Sequence, residues 1–124
     1  MRLASLIILL LFPVAVEAHQ WTPTYPEMRP SFVEGVRTTK MRLFNKRKDV
    51  RYYEIQVLDS EFRPVSFATN EKIVFVDYLK TKTIDVYVPN KATRERLYIC
   101  SVSKQVKQGT SKTMVTSRIC SKTK

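Results

Sequence analysis

The sequence predicts an all-β protein, a single antiparallel β-sandwich of about seven strands that follows an N-terminal leader. Apolar and polar side chains alternate in several short segments, which is the pattern of strands with one buried face. β-Branched and aromatic residues are abundant in these segments, and the turns between them are short. No segment after the leader has a helical period of useful length. The 124 residues therefore suit one small domain with a single core.

Residues 1–18 have the three parts of a secretory signal peptide. Arg2 supplies the positive charge, residues 3–12 form an apolar stretch, and residues 16–18 provide a cleavage site with small side chains. Cleavage there makes His19 the new N-terminus. A retained membrane anchor is the alternative, but a span needs ~20 apolar residues and Pro13 interrupts this run. We therefore expect a secreted or periplasmic protein, which would span a membrane only through an uncleaved signal.

Three prolines shape the segment that follows the leader. Pro23, Pro26 and Pro30 fix φ and provide no backbone donor, so we expect an extended, irregular arm. Trp21 and Tyr25 are expected to pin this arm onto the domain, and an exposed, adhesive arm is the alternative. The predicted boundaries are 19–35 for the arm, 36–120 for the sandwich and 121–124 for a short basic tail.

The stretch YLKTKTIDVYV, residues 78–88, illustrates the strand pattern. Its first half is a lysine-rich turn, and its second half places Ile84, Val86 and Val88 on one face of a half-buried strand. The same pattern along the rest of the chain predicts an immunoglobulin-like arrangement of two packed sheets. The predicted strands cover about residues 31–36, 37–45, 50–59, 71–77, 82–88, 96–103 and 113–120.

Cys100 and Cys120 are the only two cysteines, and we expect an exported protein to join them in a disulfide bond. The segment KQGTSK between the last two predicted strands indicates a hairpin turn centred near Gly109. Residues whose numbers sum to about 220 then face each other, and the two cysteines satisfy this condition. Closing a loop of this size is worth roughly 3 kcal/mol. Reduced thiols are expected only if export fails.

Positive charge dominates the chain, whose formal net charge is +11 at pH 7. Such an excess favours an anionic partner, such as lipid headgroups, an acidic protein face or nucleic acid. In an immunoglobulin-like sandwich the loops before the third, fifth and seventh predicted strands meet at one end. Plain solubility is the alternative explanation for the charge there. The candidate polyanion-binding residues in these loops are Lys46, Arg47, Lys48, Lys80, Lys82, Lys104, Lys107 and Lys112.

The sequence predicts no enzymatic activity and no cofactor. His19 is the only histidine, which argues against a Ser-His-Asp triad and against a histidine-based metal site. Two glycines cannot build a glycine-rich phosphate loop. Glu54 and Asp85 point outward from predicted strands, where ion pairs with lysine or arginine are expected rather than a pair of catalytic carboxylates.

The segment 36–103 resembles the N-terminal immunoglobulin-like domain of periplasmic pilus-assembly chaperones, the PapD-like superfamily. The similar features are the strand MRLFN, which ends at Asn45 before a charged turn, and the segments VRYYEIQVLD, KIVFVDYLKTKTIDVYV and RLYICSVS. The resemblance implies that a protein partner binds along the edge of the last strand. The candidate edge residues are Val115, Ser117 and Ile119. Those chaperones have a second immunoglobulin-like domain, and their anchoring basic residues lie in the cleft between the two domains, so we carry over no anchoring residue.

The overall layout of the sequence also resembles small exported proteins of unassigned role from marine podoviruses. We therefore expect a secreted or periplasmic, non-enzymatic interaction module that works through a strand edge or through its basic end. An accessory structural protein of a virus particle or cell surface is the alternative.

Overall fold

The computed structural model describes residues 18–104 and 116–124. The predicted leader up to residue 17 lies outside this part of the chain, as do the candidate residues Lys107, Lys112 and Val115. We therefore retain the predictions made for these residues as predictions.

Two antiparallel sheets form the fold, which confirms the predicted all-β, immunoglobulin-like sandwich. Sheet A has the strand order β1-β3-β7-β5, with β2 also paired to β3, and sheet B has the order β6-β4-β8-β9. A short 3-10 helix, η1, connects β7 to β8. The strands of the described residues are β1 (Gln20–Thr22), β2 (Arg29–Pro30), β3 (Val36–Phe44), β4 (Tyr52–Leu58), β5 (Ala68–Thr69), β6 (Ile73–Phe75), β7 (Thr81–Pro89), β8 (Tyr98–Lys104) and β9 (Arg118–Lys122), and η1 spans Asn90–Arg94.

The core lies between the two sheets and follows the predicted alternation. Sheet A contributes Met41 and Leu43 from β3 together with every second residue of β7, beginning at Ile84. Sheet B contributes Tyr53 and Ile55, among others, from β4. Because successive side chains of a strand point to opposite faces, the polar residues between these positions lie on the outer faces of the sandwich.

The first strands lie where an irregular arm was expected. Residues 20–22 and 29–30 pair with β3, whereas the predicted strand at 31–36 is a tight turn. The N–H of Ser31 donates to the carbonyl oxygen of Val36 at 3.0 Å, and Gly35 has a φ of 79°. Prolines confine the arm to short edge strands because they cannot donate to a ladder. Trp21 is buried and its indole N–H donates to the carbonyl oxygen of Ile99, so it packs as predicted, whereas Tyr25 is exposed and does not.

The strand predicted at 71–77 corresponds to the short strand β6, and the strand that precedes it, β5, belongs to the other sheet. β5 pairs with β7 in sheet A, and β6 pairs with β4 in sheet B. Local alternation identified the residues that face the core, but it could not identify the sheet, because the choice of neighbouring strand depends on residues far away in sequence.

Candidate binding surfaces

The predicted disulfide bond joins the last two strands of sheet B. Cys100 faces Cys120 in the antiparallel register of β8 and β9, and their Cα atoms lie 4.0 Å apart. The register inferred from the turn sequence is therefore confirmed. Strand β9 is held at the edge of sheet B by a covalent bond as well as by its hydrogen bonds to β8. Such bonds are typical of proteins that reach an oxidising compartment.

The outer edge of β9 carries backbone groups that remain open. The N–H of Ser103 donates to the carbonyl oxygen of Ser117 at 2.9 Å. In an antiparallel strand the backbone groups of successive residues point alternately toward and away from the neighbouring strand. Ser117 and every second residue after it therefore direct their backbone groups toward β8. The alternate residues Arg118, Cys120 and Lys122 direct their N–H and C=O groups away from β8. Within the described ranges 18–104 and 116–124, no strand pairs with this edge.

The N-terminal arm runs beside the same edge without joining its ladder. The N–H of Lys124 donates to the carbonyl oxygen of Pro26 at 3.1 Å, just beyond the end of β9. At the other end of β9, Nδ1 of His19 lies 3.3 Å from Oγ of Ser117. The open edge is thus one side of a seam between β9 and the arm, which we call the β9 seam.

The two candidate edge residues within the described part of the chain, Ser117 and Ile119, face the interior of the sandwich rather than this seam. Ile119 is half-buried and packs against the core, and the hydroxyl of Ser117 lies near His19 and Ser103. A partner strand at the β9 seam would therefore meet the backbone of Arg118 and its alternate neighbours, which the alternation of side chains alone did not reveal.

His19 is fixed inside the structure instead of hanging from a loose terminus. Its Nε2 lies 2.6 Å from Oγ of Ser101, and its ring packs against Tyr53 with 4.6 Å between the ring centroids. Burial lowers the pKa of His19 to about 4, so the ring is neutral at pH 7. A lone histidine next to a predicted cleavage site belongs to no periodic pattern, so its burial could not be predicted from the sequence.

Asn45 ties together the two described loops at the basic end. Its Nδ2 donates to the carbonyl oxygens of Val50 and Val76, at 2.7 and 2.8 Å. The hydroxyl of Tyr53 donates to Oδ1 of Asn45 at 2.5 Å, and the backbone N–H of Asn45 donates to the carbonyl oxygen of Lys80 at 3.0 Å. Burial raises the pKa of Tyr53 to about 12, which keeps this donor protonated. These bonds join the loop after β3 to the turn before β7, as the predicted common end requires.

Strand register places the end of β8 at this end of the sandwich as well. Lys104, the last residue of β8, pairs with Tyr52, the first residue of β4. Strand β8 therefore ends next to the loop that precedes β4. The candidate lysines at positions 107 and 112 lie outside the described residues.

Arg47 is the one candidate cation whose placement corrects the expectation of an exposed charge. The residue is buried, and its Nε and Nη2 donate to the two carboxylate oxygens of Asp49 at 3.0 and 2.7 Å. This bidentate bond lowers the pKa of Asp49 and leaves the guanidinium turned into the protein. An acidic residue two positions away makes such a pair possible, but a charge count over the loop cannot reveal it.

The remaining described lysines of the set fall into two groups. Lys82 lies 3.7 Å from Glu71, and Lys104 lies 2.7 Å from Glu54, so both have an anionic neighbour within the protein. The other group forms no ion pair with any residue of the described part of the chain, and its members are Lys46, Lys48 and Lys80. We call these three residues the lysine triad.

The two carboxylates of predicted mid-strand positions form ion pairs, as expected. Glu54 accepts a hydrogen bond from Lys104, which lowers the pKa of the carboxyl group. Asp85 lies 3.9 Å from Lys40. The two groups belong to different sheets, since β4 is in sheet B and β7 is in sheet A.

Two general features of the described residues complete the description of these surfaces. Among residues 18–104 and 116–124, no helix is long and apolar enough to cross a membrane. The same residues contain no group of three or more histidine, cysteine, aspartate or glutamate side chains that could hold a metal ion.

A solved chaperone structure has the same fold. The crystal structure of the E. coli chaperone DraB superposes on this chain with a TM-score of 0.67 at 12% sequence identity. The match covers 86% of this chain and 53% of the chaperone, so the chain spans about half the length of that protein. No family model matches the sequence, and no curated protein is similar to it. At this identity the likeness establishes the fold alone, which is the fold that the resemblance to the chaperones implied.

Proposed function

We propose that this protein is a secreted or periplasmic, non-enzymatic interaction module, and that it binds an extended segment of a partner protein at the β9 seam. The open N–H and C=O groups of Arg118, Cys120 and Lys122 are the observation that carries this proposal. They can hydrogen-bond to an added strand, as in other cases of strand addition to a sheet edge. The fold shared with a chaperone supports the proposal at the level of architecture.

The disulfide bond supports the same proposal in a second way. An edge strand that must accept a partner has to keep its register when one of its sides is open. The bond between Cys100 and Cys120 fixes that register in the middle of the strand. It also fits the predicted secreted or periplasmic location, which mass spectrometry of the exported protein, reduced and unreduced, would test.

A proline substitution tests the proposal without disturbing the fold. Arg118→Pro removes an N–H that points away from β8, and proline is tolerated on edge strands at such positions. We expect peptides selected from a random decapeptide library on the wild-type protein to lose at least ten-fold in affinity for this variant. Arg118→Ala is the matched control, because it removes the same side chain and keeps the N–H.

Two results would overturn the proposal. One is a selection that yields no binding peptide. The other is a set of peptides that bind the proline and alanine variants equally well, since a backbone ladder at Arg118 cannot form without the N–H.

We propose docking of the basic end on an anionic surface as the second candidate function. The lysine triad favours it, because these three side chains form no ion pair with any described residue. An accessory structural role on a virus particle or cell surface is compatible with either contact. Neighbouring genes would distinguish the settings, since pilin and usher genes favour a chaperone and capsid or tail genes favour a particle protein.

A further inference from the structure

Leu79 has a backbone conformation that its side chain disfavours. It occupies the third position of the turn Asp77–Lys80, in which the N–H of Lys80 donates to the carbonyl oxygen of Asp77 at 3.1 Å. Its φ is 60°, in the left-handed region that glycine adopts without cost. A turn with a positive φ at this position normally carries glycine or asparagine. For leucine the conformation costs about 1 kcal/mol.

The turn holds this conformation because it is bonded to the buried Asn45. The N–H of Leu79 donates to the carbonyl oxygen of Asn45 at 2.8 Å, and Asn45 is fully buried. The position of the leucine relative to the sandwich is therefore fixed by the core. Its side chain is nevertheless 55% exposed, and it contributes nothing to the core cluster.

Tyr78, the residue before it, is also exposed and lies beside Lys48, a member of the lysine triad. Nζ of Lys48 lies 5.4 Å from the centroid of the Tyr78 ring. The turn thus presents an apolar side chain and an amphipathic ring side by side. This feature could not be predicted from the charges of the turn, because they contain no information on the exposure of its apolar residues.

Around this apolar tip, the acidic side chains are neutralised within the protein. Asp77 lies 3.7 Å from Nε of Arg51, and Asp49 is bonded to Arg47. The charges left over are those of the lysine triad, which belongs to the same two joined loops. The tip therefore combines exposed apolar surface with unneutralised positive charge.

We propose that Leu79 and Tyr78 insert into the interface of an anionic lipid bilayer, with the lysine triad on the surrounding headgroups. This inference rests on the basic-end candidate function and names its partner as a membrane surface. Each lysine near an anionic bilayer contributes about 1 kcal/mol, and tyrosine is favoured at the level of the headgroups. The exposed leucine gains a contact with acyl chains that water cannot provide.

Chemistry favours a bilayer over the other anionic partners. The phosphates of a nucleic acid would bind the lysines, but its backbone offers no apolar region for Leu79. An acidic protein face has the same shortcoming unless it includes an apolar pocket. A bilayer supplies negative charge and apolar depth over any area that the tip can cover.

Leu79→Gly is a clean test because it removes the side chain and relieves the backbone. The variant should fold at least as well as the wild type. We expect its binding to equimolar phosphatidylglycerol–phosphatidylcholine vesicles, measured by sedimentation of the exported protein, to fall at least about five-fold. The triple variant Lys46→Ser/Lys48→Ser/Lys80→Ser should lose about 100-fold. Neither should bind vesicles of phosphatidylcholine alone.

Two matched controls come from the opposite end of the sandwich. Phe62→Gly removes another apolar residue with a left-handed φ, of 61°, and Phe32→Ser removes a fully exposed apolar side chain. Both should bind the anionic vesicles as the wild type does. Because all variants share the same N-terminal segment, its own affinity for lipid cancels in the comparison.

Each outcome decides the proposal. Loss of binding in the Leu79→Gly and triple-lysine variants, with both controls unchanged, supports it. Loss in the triple variant alone would leave the basic end as a charge-driven docking surface and overturn the insertion of Leu79. Wild-type protein that does not bind, or binding lost only in Phe32→Ser, would overturn the proposal as well. The β9 seam is unaffected by any of these results.

Fluorescence gives a second readout that a structural role of Leu79 would not produce. The chain has one tryptophan, Trp21, which is buried. In a Leu79→Trp variant we expect a blue shift of emission on anionic vesicles that the wild type does not show. An unshifted spectrum at saturating lipid would contradict insertion.

Discussion

Two turns of this protein place a large apolar residue in the left-handed region, and they do so by different means. At the basic end, Leu79 bonds to the backbone of the buried Asn45. At the opposite end, Phe62 follows Asp59, whose carboxylate accepts the N–H groups of Glu61 and Arg63, both at 2.9 Å. The first turn is supported from the core, and the second is supported by a carboxylate within the turn itself.

The side chains of the two residues differ in their contacts: the ring of Phe62 has a partner within the protein, and the side chain of Leu79 does not pack against the core. Phe62 stacks on Tyr98 with 4.6 Å between the ring centroids, so its ring offsets part of the backbone cost. Leu79 has an equally exposed side chain and lies outside the core cluster. The strain at Phe62 is thus offset by a partner within the protein, whereas the strain at Leu79 is offset by no contact with the core, which fits the external partner proposed for it.

The largest expected effect comes from the anchor of the first turn. Asn45→Ala leaves two buried carbonyl groups and the hydroxyl of Tyr53 without their partner, which should lower the free energy of unfolding by about 4 kcal/mol. Urea unfolding followed by fluorescence measures this loss. Asp59→Ala, at the second turn, should shift the urea midpoint much less. Equal shifts would show that the two turns are not supported differently.

The disulfide bond should rank next, because it acts on the whole unfolded chain. Replacing Cys100 and Cys120 by alanine should lower the free energy of unfolding by about 3 kcal/mol. The stability gain of Leu79→Gly should be the same in this background, because no contact of the described residues joins β9 to the Leu79 turn. A changed gain would mean that β9 influences this turn. The Phe62 turn is the more sensitive of the two, since Phe62 stacks on Tyr98, which pairs with Lys122 of β9.

Acid should weaken the basic end through His19, which packs against Tyr53. Burial lowers the pKa of His19 from 6.5 in the unfolded chain to about 4. The unfolded state therefore binds more protons between these values, so stability is full above pH 6.5 and falls toward pH 4, by up to about 3 kcal/mol. The melting temperature of His19→Gln should vary less over this range. Parallel pH profiles of the two proteins would contradict this assignment.

The smallest effects concern the two strained residues themselves. Leu79→Gly should raise the free energy of unfolding by up to about 1 kcal/mol, because it removes strain and no packing. Phe62→Gly should have a net effect near zero or slightly negative, since it relieves strain but loses the stacking on Tyr98. Thermal unfolding of both variants measures the difference. A destabilised Leu79→Gly would indicate that the leucine has an internal structural role.

Local alternation in the sequence determined which residues of β3, β4 and β7 face the core. Together with a centred turn, it also determined that Cys100 meets Cys120, because the register of a hairpin follows from local spacing. The resemblance to chaperone domains correctly implied the fold. These features depend on residues close in sequence or on the fixed period of a strand.

Tertiary structure alone decided the features on which the candidate sites depend. The burial of His19 beside Ser101, the pairing of Arg47 with Asp49 and the exposure of Leu79 all depend on neighbours that the fold brings together. The placement of β5 in sheet A and of β6 in sheet B depends on distant neighbours in the same way. The alternation of a strand states which side chains turn inward, but the identity of the group that meets them is a property of packing between distant segments.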